Sequence, residues 1–127
     1  MRSDPEFRVR RVYDPPDPAD GRRILVDRLW PRGLSKERAG VDEWLKDVTP
    51  SGELRTAYHA GRLDFAAFRD RYRAELAEPE RVAAVGRLLE LARGSAVTLV
   101  TAVKDPEHSH VPVLVEHLKR RGDDPRR

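Results

Sequence analysis

Two short apolar runs constrain the fold of this chain more than any other feature. The first, Ile24-Leu25-Val26 within RRILVDRLWPRG (22–33), turns abruptly polar at Asp27 and Arg28. The second, VTLVTAV (97–103), is β-branched and almost wholly apolar. Neither shows the strict alternation of a half-buried strand. Both therefore read as strands covered on two faces, the usual state of strands in a parallel sheet. A long stretch of helical pattern separates them, which suits a crossover between parallel neighbours. Adjacent and parallel, the two strands would bring the segments 27–33 and 104–110 to one edge of the sheet. In α/β proteins ligands bind beyond that carboxyl edge.

The rest of the chain is arranged around this pair. FRVRRVY (7–13) places Phe7 and Val9 on one face and Arg8 and Arg10 on the other, a charged strand suited to a sheet edge. DPPDPADG (14–21) is a proline-rich loop too short for a helix. Residues 35–38 form a short helical turn, and Asp42 caps another short helix carrying Trp44 and Leu45. Thr49-Pro50 starts a helix that carries Leu54, Ala57 and Tyr58 and stops near Gly61. Asp64 caps a stronger helix over 65–78, with Phe65, Phe68, Tyr72 and Leu76 on one stripe. Pro79 breaks it, and 80–93 is a second amphipathic helix ended by Gly94. A last helix over 109–121 follows the second strand, with Pro112 in its first turn, His117 facing solvent, and a frayed tail over 123–127. The expectation is one α/β domain over 1–127 with an ordered core at about 7–121. Its short, mostly parallel sheet of three or four strands is flanked by about five helices.

Composition narrows the function classes. No cysteine is present, which excludes disulfides, thiolate metal sites and a cysteine nucleophile. There is no apolar run of the length of about 18 residues that a membrane helix needs, and 1–7 lacks the apolar core of a signal peptide. A cytoplasmic protein without membrane partners is expected. A pI near 9.6 invites a nucleic-acid reading, yet 25 basic residues face 22 acidic ones, for a net charge of +3. Arginine outnumbers lysine 21 to 4, and asparagine and glutamine are absent, a skew most simply ascribed to codon bias.

RVYDP (11–15), RILVDRLWPRG (23–33), Asp42-Glu43-Trp44, TPS-x-ELR (49–55) and TLVTAVKDPEHSH (98–110) resemble the YeaO-like branch of the proteins grouped as domain of unknown function 488. The likeness runs from about Arg8 to Arg121 and implies a compact α/β domain. It implies no particular activity. In other branches the loop after the last strand often resembles Cys-His-Arg, where this chain has Ser109-His110-Val111. The thiol and that arginine are missing, so thiol chemistry does not carry over.

The residues themselves offer a site for an anion. Arg28 and Arg32 flank the Trp30-Pro31 turn, and a guanidinium binds phosphate or carboxylate through two parallel hydrogen bonds. Arg28 could instead pair with Asp27 or Glu43, and Arg32 could be a plain surface residue. Asp27 stands where catalytic carboxylates lie in such folds, or it pins an arginine or caps a helix. Trp30 either stacks on a ligand ring or packs beneath the turn. His108, Ser109 and His110 occupy the start of the last helix, where amides attract anions and a histidine can act as acid, base or cap. Lys104 and Asp105 close the buried strand, and His59 stands at a helix end as a rim candidate. Asp27, His108 and His110 are thus the catalytic candidates. Arg28, Trp30, Arg32, His59, Lys104, Asp105 and Ser109 are the binding candidates. No metal site and no cofactor is expected, since His59, His108 and His110 share no fixed ligand spacing.

The leading expectation is a phosphate- or nucleotide-like ligand, with or without turnover. A nucleic-acid binder using Arg8, Arg10 and Arg11 is the second reading, and a non-catalytic interaction module the third. Oligomeric state is left open.

Overall fold

A computed structural model describes residues 6–122. The 1–5 segment and the 123–127 tail, expected to be frayed, lie outside the described residues. Four strands make one sheet: β1 (Phe7–Arg11), β2 (Arg22–Leu25), β3 (Glu43–Trp44) and β4 (Val97–Thr101). Their spatial order is β1-β4-β2-β3, and every pairing is parallel. The predicted neighbours β2 and β4 pair directly, Ile24 beside Leu99 and Leu25 beside Val100. All four strands therefore end on the same edge.

Among the described residues, five α-helices flank the sheet: α1 (Lys36–Ala39), α2 (Gly52–His59), α3 (Phe65–Leu76), α4 (Pro79–Gly94) and α5 (Val111–Gly122). Side chains alternate along each strand, so β2 and β4 feed two cores. Ile24, Val26, Val97 and Leu99 pack with Tyr72, Leu76, Leu88, Leu89, Leu114 and Leu118 in the larger one. Leu25 and Val100 join Val12 and Ala39 in the smaller one, closed by Trp30 and Trp44. Each fully buried aliphatic side chain contributes roughly 1.5–3 kcal/mol. The larger core thus fixes the sheet against α3, α4 and α5.

β1 is an edge strand, and two of its arginines, Arg8 and Arg10, face one buried carboxylate. Asp20 accepts from Arg23 at 2.8 Å and from Arg10 at 3.1 Å, with Arg8 at 3.6 Å. Burial alone would raise the Asp20 carboxyl, but the hydrogen bonds from Arg23 and Arg10 outweigh it and lower its pKa. Arg23 also donates to the carbonyls of Ala39 and Asp14, so every nitrogen of the buried guanidinium has an acceptor. Gly21 (φ 62°) turns the chain into β2, and a Cβ there would overlap the Ala96 carbonyl.

Several local expectations are corrected. The 14–21 loop does hold one 3-10 turn, Pro18–Asp20, because Asp17 and Asp20 form a reciprocal capping box. No helix follows Asp42. Glu43–Trp44 is β3, drawn into the sheet by pairing with Ile24 and Leu25, and Lys46–Val48 is a 3-10 turn. The cap of α2 is Ser51 rather than Thr49: the Ser51 hydroxyl accepts from Leu54 N, while the Thr49 hydroxyl donates back to Lys46 O. β1 stops at Arg11, β4 stops at Thr101, and α5 begins at Val111 after a 3-10 turn, Pro106–His108. His117 does not face solvent. It is half-buried, and its Nε2 is enclosed without a partner.

Candidate functional site

The shared carboxyl edge opens into a cleft of 460 Å³. Every strand exit contributes to it: Tyr13 beyond β1, the 27–32 segment beyond β2, Thr49 and Pro50 beyond β3, and Ala102, Val103 and His108–His110 beyond β4. Arg55, Tyr58 and His59 of α2 and Phe68 of α3 complete the lining.

Asp27 ties the two central exits together. Its Oδ1 accepts from the Thr101 hydroxyl at 2.7 Å, and its Oδ2 accepts from Ala102 N at 2.7 Å. Its own carbonyl accepts from Trp44 Nε1 at 2.7 Å. The carboxylate thus acts first as a clamp between the β2 and β4 exits, while a carboxylate's remaining lone pairs leave it able to accept further donors.

His110 reaches across to the same point. Its Nε2 lies 2.7 Å from the Val26 carbonyl and 3.9 Å from Asp27 Oδ1. A carbonyl only accepts, so Nε2 carries the proton and Nδ1 is the acceptor of the neutral ring. Burial pushes the His110 pKa below its ordinary value; the Val26 hydrogen bond and Asp27 oppose the shift, and Arg55 adds to it. The ring meets Tyr72 edge-on, with centroids 6.1 Å apart.

The cations of the cleft have no such partners. Among the described residues no carboxylate comes within ion-pair distance of Arg28, Arg32 or Arg55. The Arg28 guanidinium lies over the first turn of α2, where a Cβ built on Gly52 would stand 3.1 Å from its Nη1. Helix N-termini carry partial positive charge, so a cation held there is favourable only beside an anion. Glu43, an alternative partner for Arg28, pairs with Arg87 instead. Ser51 N and Oγ donate to Glu75, so the carboxylate of this α3 residue is held at the start of α2, outside ion-pair distance of Arg28.

The other candidates are placed as follows. Trp30 borders the cleft, yet its Nε1 donates to Leu34 O at 2.6 Å and its ring packs edge-on against Trp44 at 5.5 Å. Ser109 lines the cleft with its hydroxyl engaged: it donates to Pro106 O and accepts from Val111 N, capping α5. His108 stands exposed at the rim, where its hydrogen bond with Asp105 raises its pKa. His59 is an exposed lining residue. Lys104 and Asp105 are exposed and do not line the cleft, because β4 ends at Thr101 and the chain turns outward before reaching them. No cluster of three metal-ligating side chains occurs among the described residues.

Arg55 was not singled out by the sequence reading. The signal that could have found it is spacing: it lies four residues after the Ser51 cap, one turn into a helix that starts at the carboxyl edge.

A family model described as the inactive DUF488-N3 subclade matches residues 6–126. YeaO of Escherichia coli, an uncharacterised protein, is 46% identical over 113 residues, covering 89% of this chain and 96% of YeaO. The chain belongs to the YeaO-like branch of the DUF488 family. An uncharacterised protein of Mycobacterium tuberculosis is 46% identical over 114 residues, 90% of this chain and 94% of that protein. No solved structure gives a significant match to this DUF488 chain. Among the described residues no helix is long and apolar enough to cross a membrane.

Proposed function

We propose that this DUF488 protein binds a small phosphate-bearing anion in the cleft at the carboxyl edge of its sheet. One observation carries the reading: Arg28, Arg32 and Arg55 border the same cleft without an acidic partner among the described residues. By contrast, Arg10 and Arg23 are paired with the buried carboxylate of Asp20. Three left unpaired around one concavity favour an anion that several of them can share.

Binding without turnover fits the local chemistry better than catalysis. The Ser109 hydroxyl is engaged in a cap, and both oxygens of Asp27 already hold donors of the β4 exit. The matching subclade is described as inactive, which points the same way. The nucleic-acid reading has less support, since Arg8 and Arg10 face Asp20 and Arg11 donates to the carbonyls of Ala102 and Val103.

A thermal-shift series with phosphate and sulfate tests the reading. A ligand present at a hundredfold excess over its dissociation constant stabilises the fold by about 2.7 kcal/mol. Phosphate should raise the melting temperature of the wild type and leave that of Arg28→Ala unchanged. No shift in the wild type, or an equal shift in Arg28→Ala, would overturn it.

A further inference from the structure

The anion-binding reading leaves most of the cleft unexplained. A water takes on the order of 30 Å³ of liquid volume, and an inorganic phosphate takes the space of a few waters. The cleft measures 460 Å³, within the range of roughly 300–1,000 Å³ that holds whole small-molecule ligands. The cleft therefore has room for a ligand that extends well beyond its charged group.

The lining indicates what that remainder is. Leu29 is 71% exposed and Tyr13 45% exposed, and both border the cleft beside the arginines. Neither belongs to either core. Tyr13 is nonetheless held in place, its hydroxyl reaching the Arg32 carbonyl at 3.5 Å and the Arg11 guanidinium lying 5.2 Å from its ring centroid. An ordered ring with much of its surface open, next to an exposed leucine, suits a flat heterocycle, since every base has a face that stacks. The same cleft offers acceptors as well as cations. Nδ1 of the neutral His110 ring and the spare lone pairs of Asp27 can receive hydroxyl donors.

We propose that the ligand is a nucleotide: its phosphate on Arg28, Arg32 and Arg55, its sugar hydroxyls toward Asp27 and His110, and its base against Tyr13 and Leu29. The inference rests on the anion-binding reading and adds the base and sugar to it. A sugar phosphate lacks the ring that Tyr13 would stack on. A nucleic-acid strand would need a phosphate track beyond the cleft, and the arginines of β1 are already engaged with Asp20 and with carbonyls.

Calorimetric titration of the full chain with inorganic phosphate, ribose 5-phosphate, the four ribonucleoside monophosphates and a short single-stranded oligonucleotide separates the outcomes. At least one mononucleotide should bind about tenfold more tightly than ribose 5-phosphate, the scale of one stacked base. Tyr13→Ala should remove most of that margin, and Tyr13→Phe should keep it. Equal affinity for ribose 5-phosphate and every mononucleotide would overturn the nucleotide assignment while leaving the anion site intact. Tighter binding of the oligonucleotide than of any mononucleotide would also overturn it. Binding of none of them, phosphate included, would sink the anion site and the nucleotide together.

Discussion

Asp27 Oδ1 accepts a hydrogen bond of 2.7 Å from the hydroxyl of Thr101, a residue on the neighbouring strand and 74 positions further along the chain. With Oδ2 on Ala102 N, the carboxylate holds the β2 and β4 exits in fixed register at the mouth of the cleft. Removing it would strand a hydroxyl and a backbone N–H that are only partly reached by water. Hydrogen bonds to charged groups contribute about 1.5–3 kcal/mol each, and an unsatisfied buried donor costs a similar amount. Asp27→Ala should therefore lower unfolding free energy by about 2–4 kcal/mol in urea titrations. A loss below about 0.5 kcal/mol would mean that the clamp is not needed for the fold.

The same distinction between scaffold and site can be made at Gly52. A Cβ there would stand 3.1 Å from Arg28 Nη1, and the flexible end of that arginine would have to give way. Gly52 opens a helix, where alanine is no worse than glycine for the backbone. Gly52→Ala should leave stability unchanged or raise it by up to about 1 kcal/mol, while weakening phosphate binding about tenfold, the scale of one charge-assisted hydrogen bond. Calorimetry and urea unfolding on the same preparation check both halves. Unchanged affinity would show that the guanidinium at α2 is not a ligand contact.

Acid should loosen the fold before the carboxylates titrate. Burial lowers the pKa of both His110 and His117 from the ordinary 6.5, with nearby arginines adding to it. The folded state then binds fewer protons than the unfolded chain. The stability they contribute is complete above about pH 6.5 and declines as pH falls below it. His108 is shifted upward by Asp105 and works in the opposite sense, but it stands exposed at the rim. Unfolding free energy measured between about pH 7.5 and pH 5 should fall with pH in the wild type. The slope should be shallower in His110→Gln, whose amide can still donate to Val26 O. A flat wild-type profile would contradict the burial of these rings in their neutral form.

The central strands were legible because an apolar run buried on both faces leaves a plain signal in sequence. Ile24-Leu25-Val26 and the 97–101 run carry it, and the long helical connection between them predicts their parallel pairing. Glu43–Trp44 carries no such signal: two residues cannot display a period, and only their partners Ile24 and Leu25 make them a strand. Thr49 was the cap that the sequence offered for α2; Ser51 takes that place, with its N and Oγ bound to Glu75 of α3, a tertiary partner. Arg28 and Arg32 stood out beside a Trp-Pro turn in the sequence. Arg55 did not, because one arginine among 21 on a helix looks like any solvated residue. Lys104 was expected in the site because the apolar run continues to Val103, but the ladder ends at Thr101 and the lysine leaves the edge.

Amide chemical-shift mapping during titration with inorganic phosphate locates the bound anion on the fold. Phosphate should perturb a contiguous set of amides at the cleft: those near Arg28, at the start of α2 around Gly52 and Arg55, and at Ala102 and His110. The β1 amides of Arg8 and Arg10 should remain where they were. Perturbations centred on β1, or none at phosphate concentrations that leave the fold intact, would contradict anion binding in the cleft.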